Sequence, residues 1–366
     1  MKASELEEIL KKAEQETVLS HTEILRLLAI TKEDDLARVS AVARRLRTRY
    51  FGNKVFLYGF VYFSTYCRNN CSFCLYRSAN HSYPRYRKTS GEILAAARQL
   101  MQSGVHLLDL TMGEDPLYHD SQQGFEELAQ IVNALKRETG TAVMISPGVI
   151  ARPVLAELKA AGADWYACYQ ETHTRTLYSR LRLGQSFAER MQQKQAARDL
   201  GYLIEEGLLA GIGESNADIA YSLQTMKNMA ADQVRVMTFI PQASTPLADW
   251  PKNSPLRELL IIAVMRLVMP DRLIPASLDV DGLKGLDQRL QAGANVVTSL
   301  IPPAAGMAGV SQSSLDIHEG NRTVAKIMPV LAGSQLAAAT ADEYQDWLTS
   351  RQRLCSNSRR GGIRCG

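Results

Sequence analysis

The sequence has no long hydrophobic run. Its longest unbroken apolar stretch, Leu259 to Met265, falls far short of the roughly 20 residues a helix needs to cross a bilayer. Lys2, Glu5, Glu7 and Glu8 occupy the place where a secretory segment would carry its apolar core. No membrane association is expected, and the expected location is cytoplasmic. Cysteine is scarce, six in 366 residues with three crowded into one loop, which excludes a disulfide framework and points to metal binding in a reducing compartment. Histidine is equally sparse. His106, His119, His173 and His318 stand singly, without an H-x-x-H or E-x-x-H grouping, so none is given a metal role.

Nor is there a surplus of one charge. Lys and Arg number 42 against 38 Asp and Glu, a net +4, and five arginines without an acid fall in Arg351 to Gly366, so the other 350 residues carry −1. That distribution describes a solvated, poorly ordered basic terminus, with contact to RNA or an anionic surface as the alternative, and no nucleic-acid partner is expected. Cys355 and Cys365 lie in it as free thiols, with auxiliary metal ligation as the alternative. No low-complexity linker or compositional shift divides the chain. The expected organisation is a helical segment over 1–50, one large domain over 51–335, and a C-terminal helix with a flexible basic tail over 336–366. A monomer is expected.

What the chain does have is alternation. Short apolar, β-rich runs begin at Val55, His106, Ala142, Asp164, Leu203, Gln233, Leu273 and Asn295. Between them lie amphipathic stretches such as Ser90 to Ser103, Gly124 to Glu138, Ala151 to Ala161, Phe187 to Leu200, Asn216 to Asn228 and Pro255 to Met269. Three further helices are expected ahead of the first run, at Ala3 to Gln15, Thr22 to Leu28 and Asp34 to Tyr50. Alternation of this kind implies parallel strands with crossover helices. Eight such strands, apolar on both faces, close into an α/β fold of TIM type, a (β/α)8 barrel, here with an N-terminal helical extension. Polar residues at the C-terminal ends of the strands then share one mouth.

Cys67, Cys71 and Cys74 follow the first strand directly, spaced C-x3-C-x2-C with Phe73 before the last. One loop can aim three such thiolates at a 4Fe-4S cluster and leave one iron open to a chelating small molecule. The alternative is zinc, which usually closes its tetrahedron with a fourth ligand in paired spacing. The nearest histidine, His81, comes seven residues after Cys74 without a partner.

Charges inside later strands name a second group. Arg235 stands in the apolar run Gln233 to Gln242, where an unpaired cation would be costly and must meet an anion. Ser277 and Asp279 alternate onto one face of the seventh strand, and Asp109 ends the second. These four suit a diamino acid: Arg235 for its carboxylate, Asp279 for its α-ammonium, Asp109 for a second ammonium. The alternative is that Asp109 and Arg235 pair with each other inside the barrel. Cys168 is taken as a small core residue.

The cysteine loop resembles that of the radical S-adenosylmethionine (SAM) enzymes, which implies one 4Fe-4S cluster and SAM as cofactors. Met112-Gly113-Glu114 stands where that pattern has Gly-Gly-Glu, so Glu114 would hold the SAM ammonium; a solvated loop acid is the alternative. Gly207-Leu-Leu-Ala-Gly211-Ile212-Gly213-Glu214 resembles the stretch lying against adenine, which brings in Gly211 and Ile212, with Phe73 near the same ring unless it is an ordinary loop anchor. Tyr169-Gln-Glu171-Thr172 through Arg190 resembles biotin synthase and the related hydrogenase maturase. There the Glu171 position contacts the ribose and the Arg190 position the SAM carboxylate, which an arginine fork matches geometrically; a helix-surface arginine is the alternative. Ser146, in Ile145-Ser-Pro-Gly, is counted with the SAM contacts.

Longer stretches, among them Tyr62-Phe-Ser-Thr-Tyr-Cys67, Asp109-Leu-Thr-Met-Gly-Glu-Asp-Pro116, Val234-Arg-Val-Met-Thr-Phe and Ile274-Pro-Ala-Ser-Leu-Asp279, resemble the methylornithine synthase family over about 20–335. That resemblance implies an isomerase converting L-lysine to (3R)-3-methyl-D-ornithine, the first step of pyrrolysine biosynthesis. A 5′-deoxyadenosyl radical would abstract hydrogen, and the carbon skeleton would fragment and recombine. It puts product contacts on Asp109, Arg235, Ser277 and Asp279, names no catalytic residue beyond cluster and SAM, and implies an electron donor such as flavodoxin or ferredoxin. Another biotin-synthase-like or maturase-like radical reaction, and a non-enzymatic metal-binding protein, stay open as alternatives.

Overall fold

Eight parallel strands run in the order that the alternation implies. The computed structural model describes residues 2–302 and 321–360. Its strands are β1 (Lys54–Ser64), β2 (Leu107–Met112), β3 (Ala142–Ser146), β4 (Trp165–Ala167), β5 (Leu203–Ala210), β6 (Gln233–Thr238), β7 (Pro275–Ser277) and β8 (Val296–Leu300). Neighbours are hydrogen-bonded from β1 through β6, and β1 also pairs β8, which pairs β7. At the remaining seam Gln233 of β6 bridges Leu273 just before β7, which makes the barrel nearly closed. Higher up, a buried network spans the same seam. Glu258, on the helix Pro255–Val268, accepts from Arg289 Nε at 2.6 Å and from Thr238 Oγ1, while Arg289 Nη1 reaches Asp281 at 2.6 Å.

The strands are buried on both faces, as the continuous apolar runs require; of β1 only Lys54 is not fully buried. Crossover helices start where side chains can satisfy the first free N–H groups. Thr89 with Glu92 and Ser215 with Asp218 form such capping boxes. The N-terminal helices Ala3–Glu14, His21–Leu28 and Glu33–Phe51 bury Leu6, Leu27, Val39 and Leu46 in the same core as the helix Pro255–Val268. Short helices at Pro116–His119, Arg175–Leu181 and Val324–Gly333 went unforeseen, because one or two turns are too short to show the helical period and an internal Pro329 blurs it.

The helix Ala341–Arg360 lies under the barrel, where Tyr344 and Leu348 join Phe56 and Trp165. Beside it β9 (Ala337–Ala338) pairs with β1. Arg351, expected in a solvated tail, instead sits in this helix, 2.8 Å from Asp232 and 3.2 Å from Asp271. Asp232 is fully buried and needs cations beside it, which fixes the start of the basic segment. His318, Cys365 and the Cys355 side chain lie outside the described residues. No described helix is long and apolar enough to cross a membrane.

Candidate active site at the barrel mouth

Cys67, Cys71 and Cys74 line one cavity of about 250 Å³ together with the C-terminal ends of the strands. Backbone contacts fix their loop. Arg68 N donates to Glu114 O at 2.9 Å and Ser72 N to Leu181 O at 2.7 Å, and Arg85 Nη1 donates to Thr65 O at 2.6 Å. Three N–H groups face the sulfurs: Gln185 Nε2 at 3.1 Å and Arg182 Nη1 at 3.7 Å from Cys71 Sγ, and Asn69 N at 3.4 Å from Cys67 Sγ. Burial pushes the Cys67 and Cys74 thiols up, so the thiolates need a cationic group to replace the proton. Three thiols on one cavity with N–H donors at sulfur fit a 4Fe-4S cluster. Among the described residues no three His, Cys, Asp or Glu side chains converge on a single ion.

The Met112-Gly113-Glu114 departure has a physical reading. Met112 is buried in the core, whereas a Cβ on Gly113 would lie 2.3 Å from Tyr66 O and 2.9 Å from Cys67 Cβ. The second glycine is the one that the cysteine loop requires. Gly113→Ala is therefore expected to push the Tyr66-Cys67 backbone outward and cost about 1–3 kcal/mol, as overpacking does. The checks are urea unfolding and iron bound after anaerobic reconstitution; wild-type values for both would remove the close approach.

Beside the cysteines, acids and arginines face each other in pairs. Glu114 Oε1 accepts from Val149 N at 3.2 Å and Arg190 Nη1 at 3.3 Å. Burial raises its pKa, but Arg190 and the Val149 N–H outweigh that and hold the carboxyl below its usual range. Arg190 Nε also donates to Tyr169 O at 2.8 Å, so this arginine is not a surface residue. Glu171 has φ +67°, a strained conformation of the kind that accompanies functional sites. Its Oε1 accepts from Arg182 Nη2 at 2.6 Å, while Oε2 is buried without a partner. Phe73 packs against an apolar cluster that holds Leu209, Ile212 and Phe239; Phe73, Leu209 and Phe239 line the cavity, whereas Gly211 and Ile212 are not among its lining residues. Gly211, at φ +93°, donates its N–H to both Glu214 oxygens at 3.0 Å and turns the chain after β5.

Deeper in, Asp109 Oδ1 accepts from Thr111 Oγ1 at 2.7 Å and Ser146 Oγ at 3.0 Å. Burial first, then the nearby Glu205 charge, pushes this carboxyl up to about 7. Ser146 thus touches the Asp109 side of the cavity. Arg235 does not pair with Asp109: its Nε lies 2.7 Å from Glu205 Oε1, and its guanidinium sits 5.4 Å from the Tyr169 ring centre. Asp279 Oδ2 accepts from Ser277 Oγ at 3.0 Å and Ser299 Oγ at 2.7 Å, and Oδ1 from Arg322 Nη1 at 2.9 Å. Cys168 is buried in the main core and also borders the cavity.

Sequence reasoning missed Arg182, Glu205, Ser299 and Arg322. Glu205 carried a usable signal, since Leu203-Ile-Glu-Glu-Gly-Leu-Leu-Ala210 puts two acids inside an apolar strand, as Gln233 to Thr238 does one arginine. Glu206, on the opposite face, is taken by Lys194.

The pattern of the radical SAM superfamily matches residues 61–226. The 3-methylornithine synthase of Methanosarcina acetivorans is 43% identical over 327 residues, 89% of this chain and 92% of that one. That of Methanosarcina barkeri is 44% identical over 310 residues, 85% of this chain and 87% of that one. A crystal structure of a methylornithine synthase is similar at TM-score 0.87 and 40% identity, over 92% of this chain and 99% of that one.

Proposed function

The chain belongs to the 3-methylornithine synthase family of the radical SAM superfamily, and from that premise we propose that this enzyme rearranges L-lysine to (3R)-3-methyl-D-ornithine in pyrrolysine biosynthesis. The observation that carries the substrate class is the charge pattern of the cavity. Five acids line it, and arginines stand within ion-pair distance of four: Glu114 with Arg190 and Arg68, Glu171 with Arg182, Glu205 with Arg235, Asp279 with Arg322. Asp109 is the fifth, with hydroxyl partners alone among the described residues. A cavity acid with no cation paired to it suits a ligand ammonium that its carboxylate does not balance, as in lysine.

Cys67, Cys71 and Cys74 would hold the cluster, and the SAM contacts are assigned to Phe73, Glu114, Ser146, Glu171, Arg190, Gly211 and Ile212. When bound, cluster and SAM supply a carbon-centred radical able to take hydrogen from an unactivated carbon. The protein's part is binding and exclusion. Arg235 takes the lysine carboxylate, Asp279 with Ser277 the α-ammonium and Asp109 the side-chain ammonium, so both ends of the substrate are held while its skeleton changes. The barrel walls keep water and fragments apart. A flavodoxin or ferredoxin as reductant and a monomeric state complete the proposal.

Mass spectrometry of an anaerobic reaction with SAM, dithionite and isotopically labelled lysine is the direct test: a labelled branched isomer is expected, and its absence with SAM cleaved would point to a different radical reaction. A pH series probes Asp109. With its carboxyl near 7 and both lysine ammonium groups charged, raising the pH from 6 to 8 ionises Asp109 and should strengthen lysine binding roughly tenfold. Asp109→Asn should flatten that profile. A flat wild-type profile in calorimetric titration would take Asp109 out of the ammonium site.

A further inference from the structure

The acid facing Arg235 has capacity left over. Glu205 is 1% exposed and lines the cavity; Arg235 Nε stands 2.7 Å from Oε1 and the Tyr169 hydroxyl neighbours the same carboxylate, yet neither oxygen is held in a hydrogen bond of ordinary geometry. A buried carboxylate in that condition is costly unless something else donates to it. Asp279 is the opposite case, with one oxygen engaged by Arg322 and the other by two serine hydroxyls. Glu205, Asp279 and Arg235 line the same cavity, and both acids act on the Arg235 charge, as Asp109 does.

We propose that Glu205 is a substrate-binding residue for the aminocarboxylate end of the substrate: the carboxylate takes Arg235, and the α-ammonium donates to Glu205 as well as to Asp279. The exchange is neutral in charge, since a zwitterion replaces half of each contact in the Glu205–Arg235 pair, and it satisfies the oxygens that the free pair leaves without hydrogen bonds. An ammonium has three N–H groups, enough for both acids. The alternative role is structural, with Glu205 present only to neutralise Arg235. The inference rests on the diamino-acid reading above, and ligand truncation separates the two.

The experiment uses protein reconstituted anaerobically with cluster and SAM, wild type and Glu205→Gln, and measures binding of lysine, norleucine and 6-aminohexanoate, with SAM affinity as the check on folding. Norleucine keeps the aminocarboxylate; 6-aminohexanoate keeps the carboxylate and distal ammonium but has no α-ammonium. A charge-assisted hydrogen bond is worth about 10-fold to 100-fold in affinity. Glu205→Gln should weaken lysine and norleucine alike by about that factor and leave 6-aminohexanoate within about twofold. Equal losses for all three ligands would mean that Glu205 acts only through Arg235, and undiminished lysine binding would remove it from the site; either overturns the proposal. Wild-type protein that binds norleucine as tightly as lysine, with norleucine still lost in Glu205→Gln, would sink the diamino reading and uphold Glu205.

Discussion

Single replacement of Cys67, Cys71 or Cys74 by alanine is expected to abolish cluster assembly, and with it SAM cleavage and product formation, each to below detection. A cluster with one open iron has three protein ligands and no spare, and the other described cysteine, Cys168, is buried at the end of β4, outside the loop that carries the three. The three positions are also not equivalent. Cys71 is the sulfur toward which both Gln185 and Arg182 point N–H groups, so Cys71→Ala leaves those donors unsatisfied as well as removing a ligand. Iron and sulfide content, the visible absorption of the reconstituted protein and deoxyadenosine release together test the assignment. Far-ultraviolet circular dichroism and retained barrel stability separate loss of ligation from loss of fold, since the loop is held by backbone contacts at Arg68, Ser72 and Arg85 that none of the substitutions touches. Wild-type SAM cleavage in any one of the three variants would overturn the cluster site.

How far the sequence carries this site depends on what kind of contact makes it. The barrel was legible because burial on both faces writes a continuous apolar run into each strand, and every one of the eight runs, from Val55 to Asn295, marks a strand in the fold. The cysteine loop was legible because its three ligands are neighbours in the chain. Arg235 was legible through a cost argument, a lone cation inside an apolar strand. The identity of its partner was not, because Glu205 comes from the adjacent strand β5 and the pairing is set by barrel register, Gly207 opposite Arg235 and Glu205 opposite Gln233. Arg322 was hidden more deeply. It follows β8 after a long connection, and nothing in its immediate neighbours marks it as the buried cation that reaches Asp279. The requirement for glycine at position 113 was likewise invisible, since the atom it must avoid, Tyr66 O, is distant in sequence.

Arg235→Ala is expected to be the most damaging change among the substrate residues, and for two reasons that can be separated. It removes the group proposed for the lysine carboxylate, which should weaken lysine by at least about 100-fold if a bidentate charged contact is lost. It also leaves Glu205 buried without a cation, beside an Asp109 whose carboxyl its charge already pushes up. Removing one partner of a buried pair costs about 3–5 kcal/mol, whereas removing both charges is often close to neutral. The variant Arg235→Ala/Glu205→Gln should therefore recover most of the unfolding free energy lost in Arg235→Ala, with no recovery of lysine binding. Urea unfolding and calorimetric titration on wild type, both single variants and the double variant give both numbers, and the non-additivity of the stabilities measures the pair directly. If the double variant regained lysine affinity along with stability, Arg235 would be a structural cation and the carboxylate would need another partner. If instead Arg235→Ala were as stable as wild type, the close approach of Arg235 Nε to Glu205 Oε1 would contribute nothing to the fold, and the buried pair would be removed as a stabilising contact.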